Sequence, residues 1–242
     1  SDSMKYAKRH GYVSEDFITG LKWSREISNR SSEKPEKRAL SVEEIKRMLV
    51  AARDTDIYLP ILFSVFMGLR RSEIVGLKYA DIDYGKRQIY IQRQLGVDNS
   101  VKKSEVRAKT YTKQEVCVKT PSSRRKLEMP VYVFQAVMEE RVRYERRRNR
   151  RKKEFQDADY IYCTSYGRPR TSNYLWKKLR DFISDNELSY TTWRGLRYTY
   201  TTTILKAGYD LAAVSRTLGH TRKEFTADVY VDKNELIKDE QY

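Results

Sequence analysis

The chain is predicted to fold as a mainly α domain with a small antiparallel β-sheet, an α+β class, and three observations carry that prediction. Apolar residues recur at helical spacing in a series of separate stretches. Between the third and fourth of them lie short runs that alternate every second residue, the period of a half-buried strand. A chain of 242 residues, 39% hydrophobic and 12% aromatic, is also long enough to enclose one sizeable core with a small appendage.

Residues 1–27 read as the end of one unit. Residues 4–10 have a helical pattern closed by Gly11, and Phe17, Ile18, Leu21 and Trp23 offer apolar surface for docking. SNRSSEKPEK at 28–37 is almost free of apolar side chains and reads as an exposed linker, so a second unit is expected over 38–242. Ser41 followed by Glu44 is a capping-box signature for a helix over 42–53. Residues 58–67 predict a more buried helix, and Gly68-Leu69 turns the chain into a third helix over 71–77, with Arg70 at the corner. Strands are expected at 82–84 and 88–91, then at 115–120 and 126–130 around Pro121-Ser122-Ser123, with Lys119 at the rim of that last hairpin. Helical periodicity returns at 131–144 and runs on to about residue 154. Further helices are expected over 172–183, over 192–207 closed by Gly208, and over 211–218, capped by Asp210 and stopped by Gly219. A last turn from about residue 223 presents Tyr230.

Charge narrows the function. Forty-nine Lys and Arg against 33 Asp and Glu leave a formal +16 and a pI of ≈ 9.7, which favours a polyanionic partner, nucleic acid first. A membrane partner is not expected: the longest apolar stretch, 59–69, is broken by Pro60, Ser64 and Gly68, and no signal peptide is visible. Cys117 and Cys163 are far apart and lack CxxC spacing, and the only histidines are His10 and His220. Neither a disulfide framework nor a metal or cofactor site is expected, and the compartment implied is a reducing, cytoplasmic one.

Cutting DNA without a metal needs fixed positive charge on the non-bridging phosphate oxygens, a nucleophile, and a proton donor for the departing oxygen. Five ordered segments supply such groups: MGLRRSEIVGLKYADID at 67–83, VKTPSSRRKLEMP at 118–130, RGLRYTY at 194–200, LGH at 218–220 and TADVYVD at 226–232. Together they resemble the catalytic domain of the tyrosine recombinases, the family of phage integrases, Xer proteins and conjugative-transposon integrases, over roughly residues 38–235.

That resemblance implies the DNA breaking-rejoining fold of the family and a set of roles. Arg70, with Arg71 as the adjacent alternative, would be the first phosphate-binding arginine, steadied by Glu73 one helical turn on. A guanidinium suits the task because its planar fork holds two oxygens and keeps its charge at neutral pH. Lys119 matches the lysine that protonates the leaving 5′ oxygen, and Arg197 the second arginine. Where the family usually carries histidine three positions earlier, this chain has Arg194, which can donate to a phosphate but cannot accept a proton at neutral pH. His220 is then the better candidate base. Tyr230 would attack phosphorus and form a 3′-phosphotyrosyl link, whereas Tyr198, Tyr200 and Tyr209 are expected to be packed rings.

Arg124 and Arg125, together with Arg147, Arg148 and Arg151 from a run holding nine basic residues within 141–153, are expected to meet the DNA backbone. The family also implies double-stranded DNA as partner, a homo-tetramer on two duplexes with a monomer as the alternative free form, and a bacterial or phage-encoded, nucleoid-associated protein. Residues 1–27 would be the remnant of the helical domain that covers the opposite DNA face. Two other classes compete. A metal-dependent nuclease or transposase would need carboxylates such as Asp81 and Asp83 to converge on ions, and a non-catalytic DNA-binding regulator would keep the fold with Arg194 as its symptom.

Overall fold

In the computed structural model the chain divides into two compact units, Ser1–Lys37 and Arg38–Tyr242. The structure describes residues 6, 9–12, 38–97, 113–117 and 123–219. In the first unit the His10 N–H donates to the Tyr6 carbonyl at 3.0 Å, one helical turn, and the two rings lie 4.2 Å apart.

The second unit opens on the expected cap. Ser41 accepts from the Glu44 N–H while its own N–H donates to the Glu44 carboxylate, launching α1 (Val42–Ala52). Glu44 also takes both guanidinium nitrogens of Arg38 and the Ser189 hydroxyl, and these hydrogen bonds hold its carboxyl well below the usual range. The cap therefore also ties the chain's entry to the loop ahead of Thr192.

Helix α2 (Tyr58–Met67) is buried along almost its whole length, including Ile61, Phe63 and Met67. It ends at Gly68, whose φ of 63° is left-handed. A Cβ there would lie 2.5 Å from the Tyr200 ring, so only glycine serves both the turn and the close approach. The next helix, α3 (Arg71–Ile74), stops earlier than its periodicity predicts. Gly76 lies against strand β3 (Arg93–Val97), with its missing Cβ 3.0 Å from the Gln94 Cα, so the chain must leave the helix to run along that strand.

The sheets differ from expectation. Strands β1 (Ile82–Asp83), β2 (Gln88–Ile91) and β5 (Arg125–Glu128) form one antiparallel sheet in the order β1-β2-β5. Strand β3, not anticipated from sequence, pairs instead with β4 (Lys113–Cys117). The expected hairpin between 115–120 and 126–130 is thus replaced by two separate pairings. Burial explains the choice: Ile89 and Ile91 are fully buried, and the register sets them opposite Leu127 and Arg125, the inward-facing residues of β5.

Four helices complete the unit: α4 (Val131–Arg151), α5 (Ser172–Asp185), α6 (Trp193–Lys206) and α7 (Leu211–Leu218). Thr171, Thr192 and Asp210 each accept the backbone N–H three residues on, which starts α5, α6 and α7. Helix α2 packs against α4 and α6, and α6 against α7. The Trp193 indole donates to the Leu175 carbonyl at 2.9 Å, pinning α6 to α5. Among the described residues no helix is long and apolar enough to cross a membrane.

Candidate functional site

The C-terminal ends of α2 and α7 are adjacent, and both finish in left-handed glycines, Gly68 and Gly219. A helix end leaves its last carbonyls without intrahelical partners and carries partial negative charge. Arginines fill that need here. Arg197, on α6, is buried and donates through Nη1 to the Gly68 carbonyl at 2.6 Å and through Nη2 to the Leu218 carbonyl at 2.8 Å. Arg70, at the start of α3, donates through Nη2 to the Gly219 carbonyl at 3.2 Å.

Glu73 is the hub beneath them. It is 1% exposed, and its Oε1 accepts from Arg70 Nη1 at 2.9 Å and from Arg125 Nη1 at 3.0 Å. Its Oε2 accepts from the Arg70 N–H at 2.8 Å and Arg125 Nη2 at 3.0 Å, with Arg197 Nη1 4.0 Å away. Burial pushes the carboxyl up. The Arg125 hydrogen bonds and the charges of Arg125, Arg70 and Arg197 overcome that push and hold it at about 2. Glu73 is therefore an anion at any ordinary pH.

Arg70 and Arg197 line a cavity of ≈ 650 Å³ together with Arg71, Arg194, Ser72, Ser172, Thr192, Trp176 and Trp193. Arg194 is exposed, one turn before Arg197 on α6, and among the described residues it has no hydrogen-bond or ion-pair partner. Burial lowers the Arg71 guanidinium. Four guanidiniums, three hydroxyl side chains and two indoles make a pocket suited to an anionic group with an apolar body attached. Trp176, Ser172 and Thr192 carry no motif that marks them as part of it, because only the packing of α5 and α6 brings them beside Arg70.

Burial departs from expectation at Arg125 and Tyr209. Arg125, expected on DNA, is 8% exposed, and its donors go to Glu73, to the Thr217 carbonyl at 2.6 Å and to the Ser123 carbonyl at 3.1 Å. It faces inward because β5 alternates and Arg125 shares the buried face with Leu127. Arg124, beside it, is exposed. On α4, Arg147 is drawn inward onto Glu140 at 2.7 Å, and Arg151 lies over the Tyr166 ring at 3.7 Å. Arg148 reaches Asp157 at 3.3 Å. Tyr200 packs on Gly68 and burial pushes its phenol up, but Tyr209, expected to be packed, is exposed.

Asp81 gives no support to an ion-binding role. Its oxygens accept from Arg93 at 2.5 Å, Gln92 at 2.7 Å and the Lys78 N–H at 2.9 Å, while Asp83 caps a turn through the Lys86 N–H. Lys119, His220 and Tyr230 lie outside the described residues.

The sequence pattern of the phage integrase family matches residues 38–236. A tyrosine recombinase XerC-like protein of Caldanaerobacter subterraneus is 26% identical over 228 residues, covering 93% of this chain and 58% of that protein. The transposase from transposon Tn916 of Enterococcus faecalis is 27% identical over 205 residues, covering 80% of this chain and 47% of its own length. The chain thus spans about half the length of these curated relatives. Among solved structures, the Tn1549 transposon integrase in complex with transposon right end DNA superposes with a TM-score of 0.64 at 23% identity, over 84% of this chain and 65% of that one. XerA recombinase gives 0.61 at 19% identity, over 82% and 62%. The fold is that of the tyrosine recombinase catalytic domain.

Proposed function

The chain belongs to the phage integrase family, and from that premise we propose that it cuts and rejoins DNA strands site-specifically by metal-independent transesterification through a 3′-phosphotyrosine. What supports this most directly is the cavity in which Arg70 and Arg197, each fixed by helix-end carbonyls, stand beside Arg71 and Arg194. Positively charged donors that need no reorganisation are what a phosphorane, with its added negative charge, requires.

In the proposed reaction, Arg70 and Arg197 hold the non-bridging oxygens and Arg194 adds a third donor. The Tyr230 oxygen forms a bond to phosphorus as the bond from phosphorus to the 5′ oxygen breaks. The phenolic proton passes to His220, and Lys119 gives a proton to the departing oxygen. One phosphoester bond replaces another, so a 5′ hydroxyl can reverse the step. A phenol with pKa near 10 needs the nearby cations to favour its phenolate.

The proposed partner is double-stranded DNA, in keeping with the net charge of +16 and with the DNA-bound Tn1549 integrase, and the proposed working state is a tetramer on two duplexes. A pool of nicked duplexes with randomised cores, incubated in EDTA, is expected to yield a covalent protein–DNA adduct that resists denaturant. Tyr230→Phe is expected to abolish it. An adduct that persists in that variant reassigns the nucleophile, and one that requires added divalent metal overturns the mechanism.

A further inference from the structure

We propose that Arg125 is a positioning residue for strand cleavage: it occupies the Glu73 carboxylate, so that Arg197 is not drawn onto it and stays turned toward the phosphate site, and it anchors the last turn of α7. The inference deepens the function proposed above and rests on it for the identity of the phosphate.

Arg125 does not line the cavity, and its hydrogen bonds run to Glu73, Thr217 and Ser123. It acts through other residues. Glu73 Oε2 sits 3.0 Å from Arg125 Nη2 but 4.0 Å from Arg197 Nη1. Both guanidiniums compete for that oxygen, and Arg125 holds it with a two-pronged fork while Arg197 is turned toward the Gly68 and Leu218 carbonyls. Three guanidiniums around one carboxylate leave two net positive charges in a cluster where Arg125, Arg197 and Glu73 are buried and only Arg70 is partly exposed.

The α7 end shows the same division. The carbonyls of three successive residues, Thr217, Leu218 and Gly219, accept from Arg125, Arg197 and Arg70 respectively. These are the orphan carbonyls of a helix end, each given its own cation. Arg125 thereby fixes where the chain leaves α7, and His220 is the next residue.

Removing Arg125 leaves a buried carboxylate with a vacant side, and closing the 4.0 Å gap to Arg197 would satisfy it. The cluster would then hold one net positive charge. Replacing Glu73 by glutamine in the same molecule returns the count to two, so the double variant separates electrostatic positioning from plain scaffolding.

The test uses the full chain and two readouts, with circular dichroism and thermal melting to verify folding. The first is binding of inorganic phosphate followed by tryptophan fluorescence, since Trp176 and Trp193 line the cavity. Arg125→Met is expected to weaken phosphate binding by about 10-fold and Arg125→Lys less, with Arg125→Met/Glu73→Gln recovering most of the loss. The second is the single-turnover rate of adduct formation in EDTA. It is expected to fall about 100-fold in Arg125→Met, the loss seen when one transition-state donor is misplaced, with duplex affinity changed less than about 3-fold and partial recovery in the double variant. Wild-type phosphate affinity in Arg125→Met, or a double variant no better than the single one, overturns the proposal. If the wild type binds phosphate but forms no adduct, the recombinase reading fails, and the phosphate titration still decides the role of Arg125.

Discussion

Around Glu73 the arginines are held by one buried carboxylate and by helix-end carbonyls, whereas along the outer half of α4 they pair with carboxylates that are themselves at the surface. Arg141 meets Glu145 at 3.2 Å, Arg143 meets Glu140 at 3.3 Å, and Arg148 meets Asp157 at 3.3 Å, all with both partners in contact with solvent. Arg125 and Glu73 share a 3.0 Å bidentate pair with almost no exposure. The same side chain therefore does two different jobs. Buried and forked, it fixes geometry; laddered along a helix surface, it shapes a field that salt can screen.

That contrast is broken most directly by removing Glu73. Glu73→Ala leaves Arg125 buried without its counter-charge, and a loss of about 3–5 kcal/mol in unfolding free energy is expected from urea denaturation. Truncating Glu145, a surface partner on α4, is expected to cost less than about 1 kcal/mol. Equal losses at the two sites would erase the distinction.

Acid should unmask the same difference. Glu73 titrates at about 2 in the folded chain and near 4.3 when unfolded. With the folded value depressed, its contribution is fully present above about pH 4.3 and is lost as the pH falls toward 2, roughly 3 kcal/mol in all. A pH series of urea midpoints should show that decline, and Glu73→Gln should flatten this part of it.

Gly68 is a third point of attack. Gly68→Ala must adopt a φ of 63° and push its methyl to within 2.5 Å of the Tyr200 ring, so a loss of about 2–3 kcal/mol is expected by thermal or urea melting. Because the Gly68 carbonyl accepts from Arg197, the substitution should also weaken phosphate binding, which a defect confined to folding would not do.

How far the sequence could lead depends on the range of the interaction. Caps are local: Ser41 with Glu44, and Asp210 ahead of α7, announce themselves within three residues, and both helices start where expected. Arg70, Glu73, Arg194 and Arg197 were identifiable because motif order and helical spacing keep them on two short segments, and the structure brings them to one cavity and its buried support. Strand pairing is not local. Nothing in RQLGV says that it takes Lys113–Cys117 as partner, and without the β2–β5 register Arg125 cannot be assigned to the inner face of β5. A permanent charge also suggests surface, so an arginine buried by a carboxylate 52 residues away is invisible to composition.

On α4, by contrast, a signal was available. Tyr144 is buried, so residues three and seven positions on, Arg147 and Arg151, share its face and turn inward, while Arg146 and Arg150 are exposed. The DNA-facing pair proposed for this helix is therefore Arg146 and Arg150 rather than Arg147 and Arg151. Arg146→Gln/Arg150→Gln should leave stability within about 0.5 kcal/mol and reduce the slope of log affinity against log salt by about 2, one phosphate contact for each arginine. Arg147→Gln/Arg151→Gln should do the reverse, lowering the melting temperature through the lost Glu140 and Tyr166 contacts while the salt slope stays put. If instead the second pair changes the slope and the first does not, the helix presents its other face to DNA, and the surface ladder would have to open on binding.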